Sequence, residues 1–181
     1  MSYLLKEGLI ISVGMHYGKK IIIASDHRGF DSKIKLLEEM HKKGGLLEDA
    51  LRFNNRFMTT DVGCHNDERC DYVDYVCQAA SSVSNNWLES IGIAICGSGI
   101  GMSIAAAKFP RLYPARCLTV EDAVLSRKHN NSNFLCLSSS TENLKDIVSA
   151  WLFASFYESP EEEPYLRRFI KTLDIEKNQF K

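Results

Sequence analysis

Short apolar runs without alternation recur along the chain, and a segment with helical spacing follows each of them. One run covers Lys20–Ser25, with the sequence KIIIAS. A β-branched run of this length is typical of a strand that is buried on both faces of a parallel sheet. Helical spacing then continues up to a pair of glycines that ends the helix, with apolar residues at Ile34, Leu36, Leu37 and Met40. These segments predict one βα unit.

The same alternation continues to the end of the chain. The apolar run 91–96 leads into a glycine-rich turn that opens a helix. Further strands are predicted near 57–62, 115–119 and 133–138, and further helices over 73–83, 121–128, 141–156 and 165–177. Regular alternation of this kind predicts an α/β fold, a Rossmann-like three-layer α/β/α domain with a five-stranded parallel sheet. Functional residues are then expected at the carboxyl ends of the strands.

Three regions are distinguished by their patterns. Residues 1–18 precede the first clear strand and are interpreted as an N-terminal arm or an extra strand, and residues 19–158 form the Rossmann-like domain. After a break rich in proline and glutamate, residues 159–181 are predicted to form a C-terminal helix that packs on the same domain or on a partner subunit. Residues 46–60 show no clear period and are interpreted as an inserted loop.

The composition narrows the classes of ligand. The chain has 181 residues, 45% of them hydrophobic, with a formal net charge of −1, so no broad positive field attracts nucleic acid or an anionic membrane. Anionic ligands must therefore be bound by local groups. Six cysteines are scattered without a secretory signal, which favours reduced thiols and the cytoplasm. Their spacing does not indicate a structural zinc site, and no apolar run is long enough to span a membrane.

The glycine-rich turn after the run 91–96 is the strongest chemical signal. It reads Cys96-Gly97-Ser98-Gly99-Ile100-Gly101. The turn places a thiol, a hydroxyl and backbone N–H groups at the start of a helix, where negative charge such as a developing enediolate is favoured. The alternative is an ordinary tight turn with a buried cysteine. A dinucleotide site is disfavoured because the spacing is G-x-G-x-G and no suitable acidic ribose ligand follows.

Two other pairs of residues lie at the ends of predicted elements. Asp26 and His27 directly follow the first strand of the sheet, where they can hold sugar hydroxyls or a phosphate. The alternative for Asp26 is a role as helix N-cap. His129 and Asn130 lie between a helix and a strand, where a simple turn is the alternative interpretation.

Four motifs in order carry a resemblance to a known family. They are SDHRGF (25–30), DYVDY (71–75), ICGSGIGMSIAAAK (95–108) and SRKHNNSN (126–133). Together they resemble the type B ribose-5-phosphate isomerase and galactose-6-phosphate isomerase family, from about residue 19 to residue 170. The resemblance implies an aldose–ketose isomerase for a pentose or hexose phosphate. It also implies a homodimer or a tetramer with shared active sites, and no metal or organic cofactor.

The resemblance assigns roles to the residues of the glycine-rich turn. Cys96 matches the catalytic base that moves a proton between C1 and C2 of the open-chain sugar. Ser98 stands where the family usually has threonine, so the hydroxyl is kept. Gly97, Gly99 and Gly101 match the loop that stabilises the enediolate.

The other motifs supply substrate contacts by the same resemblance. His129 matches the histidine that opens the furanose ring, and Asn130 is expected to reach the site from the neighbouring subunit. Asp26, His27 and Tyr72 match residues that hold the substrate.

The phosphate ligands depart from the family pattern. Ser140 stands where the family usually has an arginine. In the C-terminal Arg-His-x-x-Arg pattern, Pro164 replaces the first arginine, and only Arg168 matches. Arg28, which follows His27 where a small residue is common, is interpreted as a compensating phosphate ligand, with a solvated surface charge as the alternative. The departures leave open a second hypothesis, a divergent member that binds another sugar or has a regulatory role.

Overall fold

A computed structural model of the chain describes residues 2–6, 9–16, 18–47 and 57–179. The strands are β1 (Ser2–Lys6), β2 (Leu9–Val13), β3 (Lys20–Ser25), β4 (Met58–Asp61), β5 (Ser90–Cys96), β6 (Pro114–Arg116) and β7 (Phe134–Ser138). The helices are α1 (Phe30–His41), α2 (Tyr72–Asn85), α3 (Ile100–Ala106), α4 (Val120–Asn130), α5 (Leu144–Phe153) and α6 (Glu163–Gln179), with a 3-10 turn at Pro160–Glu162.

The central sheet has five parallel strands in the order β4-β3-β5-β7-β6. Successive side chains of a strand point to opposite faces. Ile21 and Ile23 of β3 therefore pack with α1 and α5, whereas Ile22 and Ala24 pack with α2 and α3. Both faces are covered by helices, which explains why the strands read as continuous apolar runs. The predicted three-layer α/β/α fold with a five-stranded parallel sheet is confirmed.

Two elements have boundaries that lie three residues from those that the sequence predicts. The strand predicted over 115–119 ends at Arg116, because Thr119 is the N-cap of α4. Thr119 Oγ1 accepts a hydrogen bond from the Asp122 N–H at 3.0 Å, and the Asp122 carboxylate accepts one from the Thr119 N–H at 3.1 Å. This capping box fixes the helix start. The helix predicted over 141–156 is shorter, covering Leu144–Phe153.

The insertion predicted over 46–60 falls largely on residues 48–56, which lie outside the described residues. At its end the predicted strand near 57–62 is confirmed as β4, which pairs with β3 at the edge of the sheet.

The first strands form an antiparallel hairpin that is separate from the central sheet. Ile11 of this hairpin is buried in a small apolar cluster with Phe156, Leu166 and Phe169. The Gly14 N–H donates to the Phe156 carbonyl at 2.8 Å. The hairpin and α6 therefore pack together at one end of the domain.

Several chemical features of the described residues bear on the sequence interpretation. All six cysteines are free in the structure. None of the described helices has the length and apolarity needed to cross a bilayer. Within the described ranges, no three His, Cys, Asp or Glu side chains are grouped so that they could hold a metal ion.

Three basic side chains are buried where the hairpin meets the domain. His16, Lys19 and Arg127 are 1%, 3% and 1% exposed. Within the described residues, the Arg127 guanidinium donates to neutral oxygens only, namely Asn131 Oδ1, Ser132 O and Gly14 O at 2.7, 2.8 and 2.9 Å. Burial, assisted by the charge of Arg127, lowers the pKa of Lys19 to about 7. Burial also lowers the pKa of Arg127 to about 9 and that of His16 well below its usual value.

We expect the free energy of unfolding to rise with pH from neutrality upward because of Lys19. Its pKa is about 7 in the folded protein and near the ordinary value of 10.5 in the unfolded chain. Between these values the unfolded chain binds more protons, so raising the pH favours the folded state. Denaturant unfolding at about pH 6.5 and about pH 8.5 measures this slope, which should be flatter in Lys19→Met.

The exposed neighbour Lys20 provides the matched control, because Lys20→Met should keep the wild-type slope. Other titrating groups, among them His16 and Arg127, are common to all three proteins and largely cancel in the comparison. Equal slopes for wild type and Lys19→Met would show that Lys19 is not the cause.

Candidate active site

The carboxyl ends of three neighbouring strands meet at one edge of the sheet. Ser25 at the end of β3 pairs with Ile95, and Cys96 at the end of β5 pairs with Ser138 at the end of β7. The residues that follow these strands therefore lie side by side, as expected for ligand sites in parallel sheets. This edge is called the Cys96 edge below.

Cys96 is the last residue of β5 and is 5% exposed. Its Sγ accepts a hydrogen bond from the Gly99 N–H at 3.1 Å. Gly99 has φ +75°, and a Cβ there would lie 3.0 Å from the Leu137 backbone, so both conformation and space require glycine. The N–H groups of Gly97 and Ser98 have no acceptor in the described part of the chain. They are donors that an oxyanion beside the thiol can use.

Two side chains hold the carbonyl groups of this turn. Ser138 Oγ donates to the Gly97 carbonyl at 2.8 Å, and Arg116 Nε donates to the Ser98 carbonyl at 2.7 Å. Sequence reasoning missed Arg116, because the strand predicted over 115–119 places this residue near the start of the strand instead of at its carboxyl end. The exposed Ser98 hydroxyl accepts from the Ile100 N–H at 3.3 Å.

Arg28 lies directly beside the same turn. A Cβ at Gly97 would be 3.0 Å from Arg28 Cζ and Nε, so the guanidinium rests on the glycine. Arg28 is exposed, and no ion pair joins it to a carboxylate in the ranges that the structure describes. Arg28 and Arg116 thus place two cations around the turn that carries Cys96.

Asp26 and His27 follow β3 at the Cys96 edge. The interpretation of Asp26 as helix N-cap is wrong, because α1 has Gly29 at that position. Gly29 is required there since a Cβ would lie 2.1 Å from the Ile95 carbonyl oxygen, and Asp26 Oδ1 instead accepts from the Gly29 N–H at 2.9 Å. His27 Nδ1 lies 3.2 Å from the Cys70 carbonyl oxygen and 3.3 Å from the Cys70 nitrogen. The Cys70 backbone therefore orients the ring and leaves Nε2 for a ligand.

Tyr72 begins α2 and packs its ring on Gly101. A Cβ at Gly101 would lie 2.7 Å from Tyr72 Cζ. Tyr72 also remains partly exposed, so its hydroxyl is available beside the turn. Glycine at 101 allows this approach.

The remaining predicted site residues lie elsewhere in the subunit. Asn130 ends α4 and precedes β7, whereas the far end of β7 is at the Cys96 edge. His129 and Asn130 are therefore separated from Cys96 by the length of a strand, roughly 15 Å. The His129 ring stacks on Tyr165 with centroids 4.0 Å apart, and Arg168 Cζ lies 5.7 Å from the same tyrosine ring. These residues form a second group, called the His129 group below.

Ser140 replaces the expected arginine with a short, neutral side chain. Its Oγ lies 2.8 Å from Ser138 Oγ, and its N–H donates to the same atom at 3.3 Å. Ser140 thus belongs to the network that holds the Gly97 carbonyl, and it supplies no charge for a phosphate.

Comparison with known proteins gives consistent matches over most of the chain. Residues 21–167 match the family model described as Ribose/Galactose Isomerase. Ribose-5-phosphate isomerase B of Escherichia coli is 36% identical over 141 residues, which cover 76% of this chain and 86% of the relative.

Solved structures agree with these matches. Ribose-5-phosphate isomerase B of Clostridium thermocellum has a TM-score of 0.73 and 34% identity, covering 88% of this chain and 98% of that one. The Mycoplasma genitalium ribose-5-phosphate isomerase B, solved with bound ribulose-5-phosphate, has a TM-score of 0.72 and 31% identity, covering 90% and 99%.

Proposed function

The chain belongs to the ribose/galactose isomerase family, and on this premise we propose that it interconverts an aldose phosphate and a ketose phosphate. The type of reaction is that of ribose 5-phosphate and ribulose 5-phosphate, as the names of its relatives indicate. The observation that carries the proposal is the Cys96 thiol, held by the Gly99 N–H beside two unpaired N–H groups.

In the proposed reaction, the Cys96 thiolate removes the proton from C2 of the open-chain aldose. The resulting enediolate carries negative charge on O1, and the N–H groups of Gly97 and Ser98 stabilise that charge. The thiol then returns the proton to C1, while the O2 hydroxyl proton is transferred to O1, so that C2 becomes the ketose carbonyl. The Ser98 hydroxyl helps to orient the substrate. The net change is the movement of two protons within the sugar, so the reaction is an isomerisation without net oxidation or reduction.

We propose that Asp26, His27 and Tyr72 hold the sugar at the Cys96 edge. His129 would open the furanose ring and Asn130 would contact the enediolate, both from a neighbouring subunit. The separation of the His129 group from Cys96 within one chain supports this sharing.

A homodimer is also supported by apolar surface beside the turn. Ile100 and Ile104 of α3 are 48% and 58% exposed, and Leu118 and Val120 after β6 are exposed as well. Exposed apolar side chains next to a site favour a subunit contact there. The free cysteines support a reducing compartment such as the cytoplasm.

The second hypothesis is a divergent member that binds another sugar or has a regulatory role. The neutral Ser140 network favours it, because one phosphate charge is lost. If the protein is a sugar-phosphate isomerase, Arg28 at the Cys96 edge and Arg168 in the His129 group offset this loss of positive charge. A coupled assay with ribose 5-phosphate, allose 6-phosphate and galactose 6-phosphate tests the proposed function, and no turnover of any of them would favour the second hypothesis.

If Arg28 binds the phosphate, Arg28→Ala should raise KM and leave kcat nearly unchanged. A charge-assisted hydrogen bond of about 1.5–3 kcal/mol corresponds to an increase in KM of roughly 10- to 100-fold. Steady-state kinetics with the same sugar phosphates measure this increase in KM, and Arg168→Ala should raise KM in the same way. Lys35→Ala, on an exposed position of α1, is the control for a lost surface charge. KM values within about twofold of wild type for both arginine variants would point to a ligand without phosphate.

A further inference from the structure

A cavity of about 840 Å³ lies at the edge of the sheet opposite Cys96. Its walls come from five places: the β1–β2 hairpin with the segment that follows it, the end of α2 with the segment after it, the segment before β6, the segment before β7, and α6. Lys19 and Asn133 line it just before β3 and β7, which places it at the amino ends of the strands. The hairpin, His16 and Lys19 precede the residues that match the family model. Half of the described lining residues therefore belong to parts of the chain that the family match does not include.

The charged groups around this cavity are unbalanced. Lys19, Arg111 and Lys177 line it together with His16, and Glu176 is the one carboxylate among its described lining residues. Glu176 is already engaged by the Arg111 N–H and by the Tyr113 hydroxyl, at 2.5 and 3.1 Å. The cavity wall therefore carries a surplus of positive charge.

Lys19 lacks a countercharge at its ammonium group. Its Nζ donates to Ser12 Oγ at 3.1 Å, which uses one of the three donors of an ammonium. Arg127, buried behind the wall, donates hydrogen bonds to three neutral oxygens. In the described ranges no carboxylate pairs with Lys19 or Arg127. Buried charge without a counterion is unfavourable, so an anion in the cavity would stabilise this arrangement.

His16 adds a second unsatisfied group. Its Nε2 lies 3.2 Å from the Ser132 carbonyl and so carries the proton, while Nδ1 is buried without a partner in the described part of the molecule. An anion nearby would favour protonation of this nitrogen as well as of Lys19. Two or three positive charges in one wall match a dianionic group better than a single carboxylate.

We propose that this cavity is a second ligand site, which binds a small phosphomonoester with its phosphate at the Lys19 ammonium. The site is separate from Cys96 and does not depend on the proposed isomerase activity. Its volume exceeds that of the phosphate alone and leaves room for a small organic group beside Trp87 and Tyr113.

Calorimetry of the full chain tests the proposal, with glycerol 2-phosphate as the probe in two buffers of different ionisation enthalpy. Binding at about pH 8 should be accompanied by proton uptake, because Lys19 is recharged when the phosphate arrives. Lys19→Met should weaken binding at least about tenfold and abolish the proton uptake. Lys20→Met, on the adjacent exposed position, should bind like wild type, and Arg28→Ala should not remove the signal.

Several results would overturn the proposal. They are absence of binding to wild type, equal affinity and proton uptake in Lys19→Met, or loss of the signal in Arg28→Ala, which would place the probe at the Cys96 edge. Acetate binding as tightly as glycerol 2-phosphate would overturn the preference for phosphate. A change of oligomeric state in Lys19→Met, seen by sedimentation without any change in probe binding, would assign the cavity to a contact between subunits.

Discussion

Replacing Cys96 with alanine is expected to give a folded protein whose isomerase turnover has fallen by at least about a thousandfold. Alanine keeps the strand and its pairing with Ser138 but removes the group that would carry the proton between C1 and C2. The N–H donors of Gly97 and Ser98 remain, so some stabilisation of the enediolate persists without a base. Turnover should be measured with saturating sugar phosphate, and folding should be verified by circular dichroism.

Cys117→Ala is the matched control for this change. Cys117 is as buried as Cys96 but lies outside the turn, and burial raises the pKa of its thiol to about 11. Its replacement should reduce stability and leave the turnover of the folded protein unchanged. The same is expected of Cys136, whereas Cys77 is only half-buried and should matter less. Cys96→Ala with turnover within about tenfold of wild type would exclude the thiol as the base.

Mixing two inactive variants, Cys96→Ala and His129→Ala, is expected to restore activity to about a quarter of the sites. Under the proposed sharing, a heterodimer combines the intact Cys96 edge of one chain with the intact His129 group of the other. Random exchange makes about half of the dimers mixed, and one of the two sites in each is then intact. Turnover after refolding the mixture, compared with each variant alone, measures the effect.

A second mixture tests whether recovery of activity requires one substitution at the Cys96 edge and the other in the His129 group. Cys96→Ala and Asp26→Ala both alter the Cys96 edge, so every site in their heterodimers keeps one defect and activity should stay low. Subunit exchange must be verified, for example with chains of different mass. Verified exchange without regained activity in the first mixture would mean that His129 does not act across an interface.

The sheet and the Cys96 edge could be predicted because the sequence encodes them locally. Strands covered on both faces read as apolar runs, and their carboxyl ends share one edge, so residues such as His27 and Cys96 could be grouped without a structure. The turn after Cys96 could also be predicted from local sequence, since its glycines are close together in the chain.

Other features could not be predicted, one because a local cap ends a strand and two because they depend on contacts between distant segments. The end of β6 was missed because the cap at Thr119 overrides a run that reads as a strand. The alternative interpretation of Asp26 as helix N-cap is wrong because the steric conflict that fixes Gly29 involves Ile95, far away in sequence. The burial of Lys19 beside Arg127 could not be anticipated from spacing, since Arg127 reaches this place through a contact with Gly14, 113 positions earlier in the chain.

The positions of the two tryptophans make intrinsic fluorescence sensitive to one end of the sheet and insensitive to the other. Trp87 lines the large cavity, with Arg111 Cζ 6.0 Å from its ring, and Trp151 is buried with its ring centroid 4.6 Å from that of His16. Both indoles, the only two in the chain, therefore lie away from Cys96. Intrinsic fluorescence excited at the indole band should report filling of the cavity and the charge of His16, while a sugar that binds beside Cys96 leaves the emission almost unchanged. The two ends of the sheet can thus be distinguished in a fluorimeter without any added label.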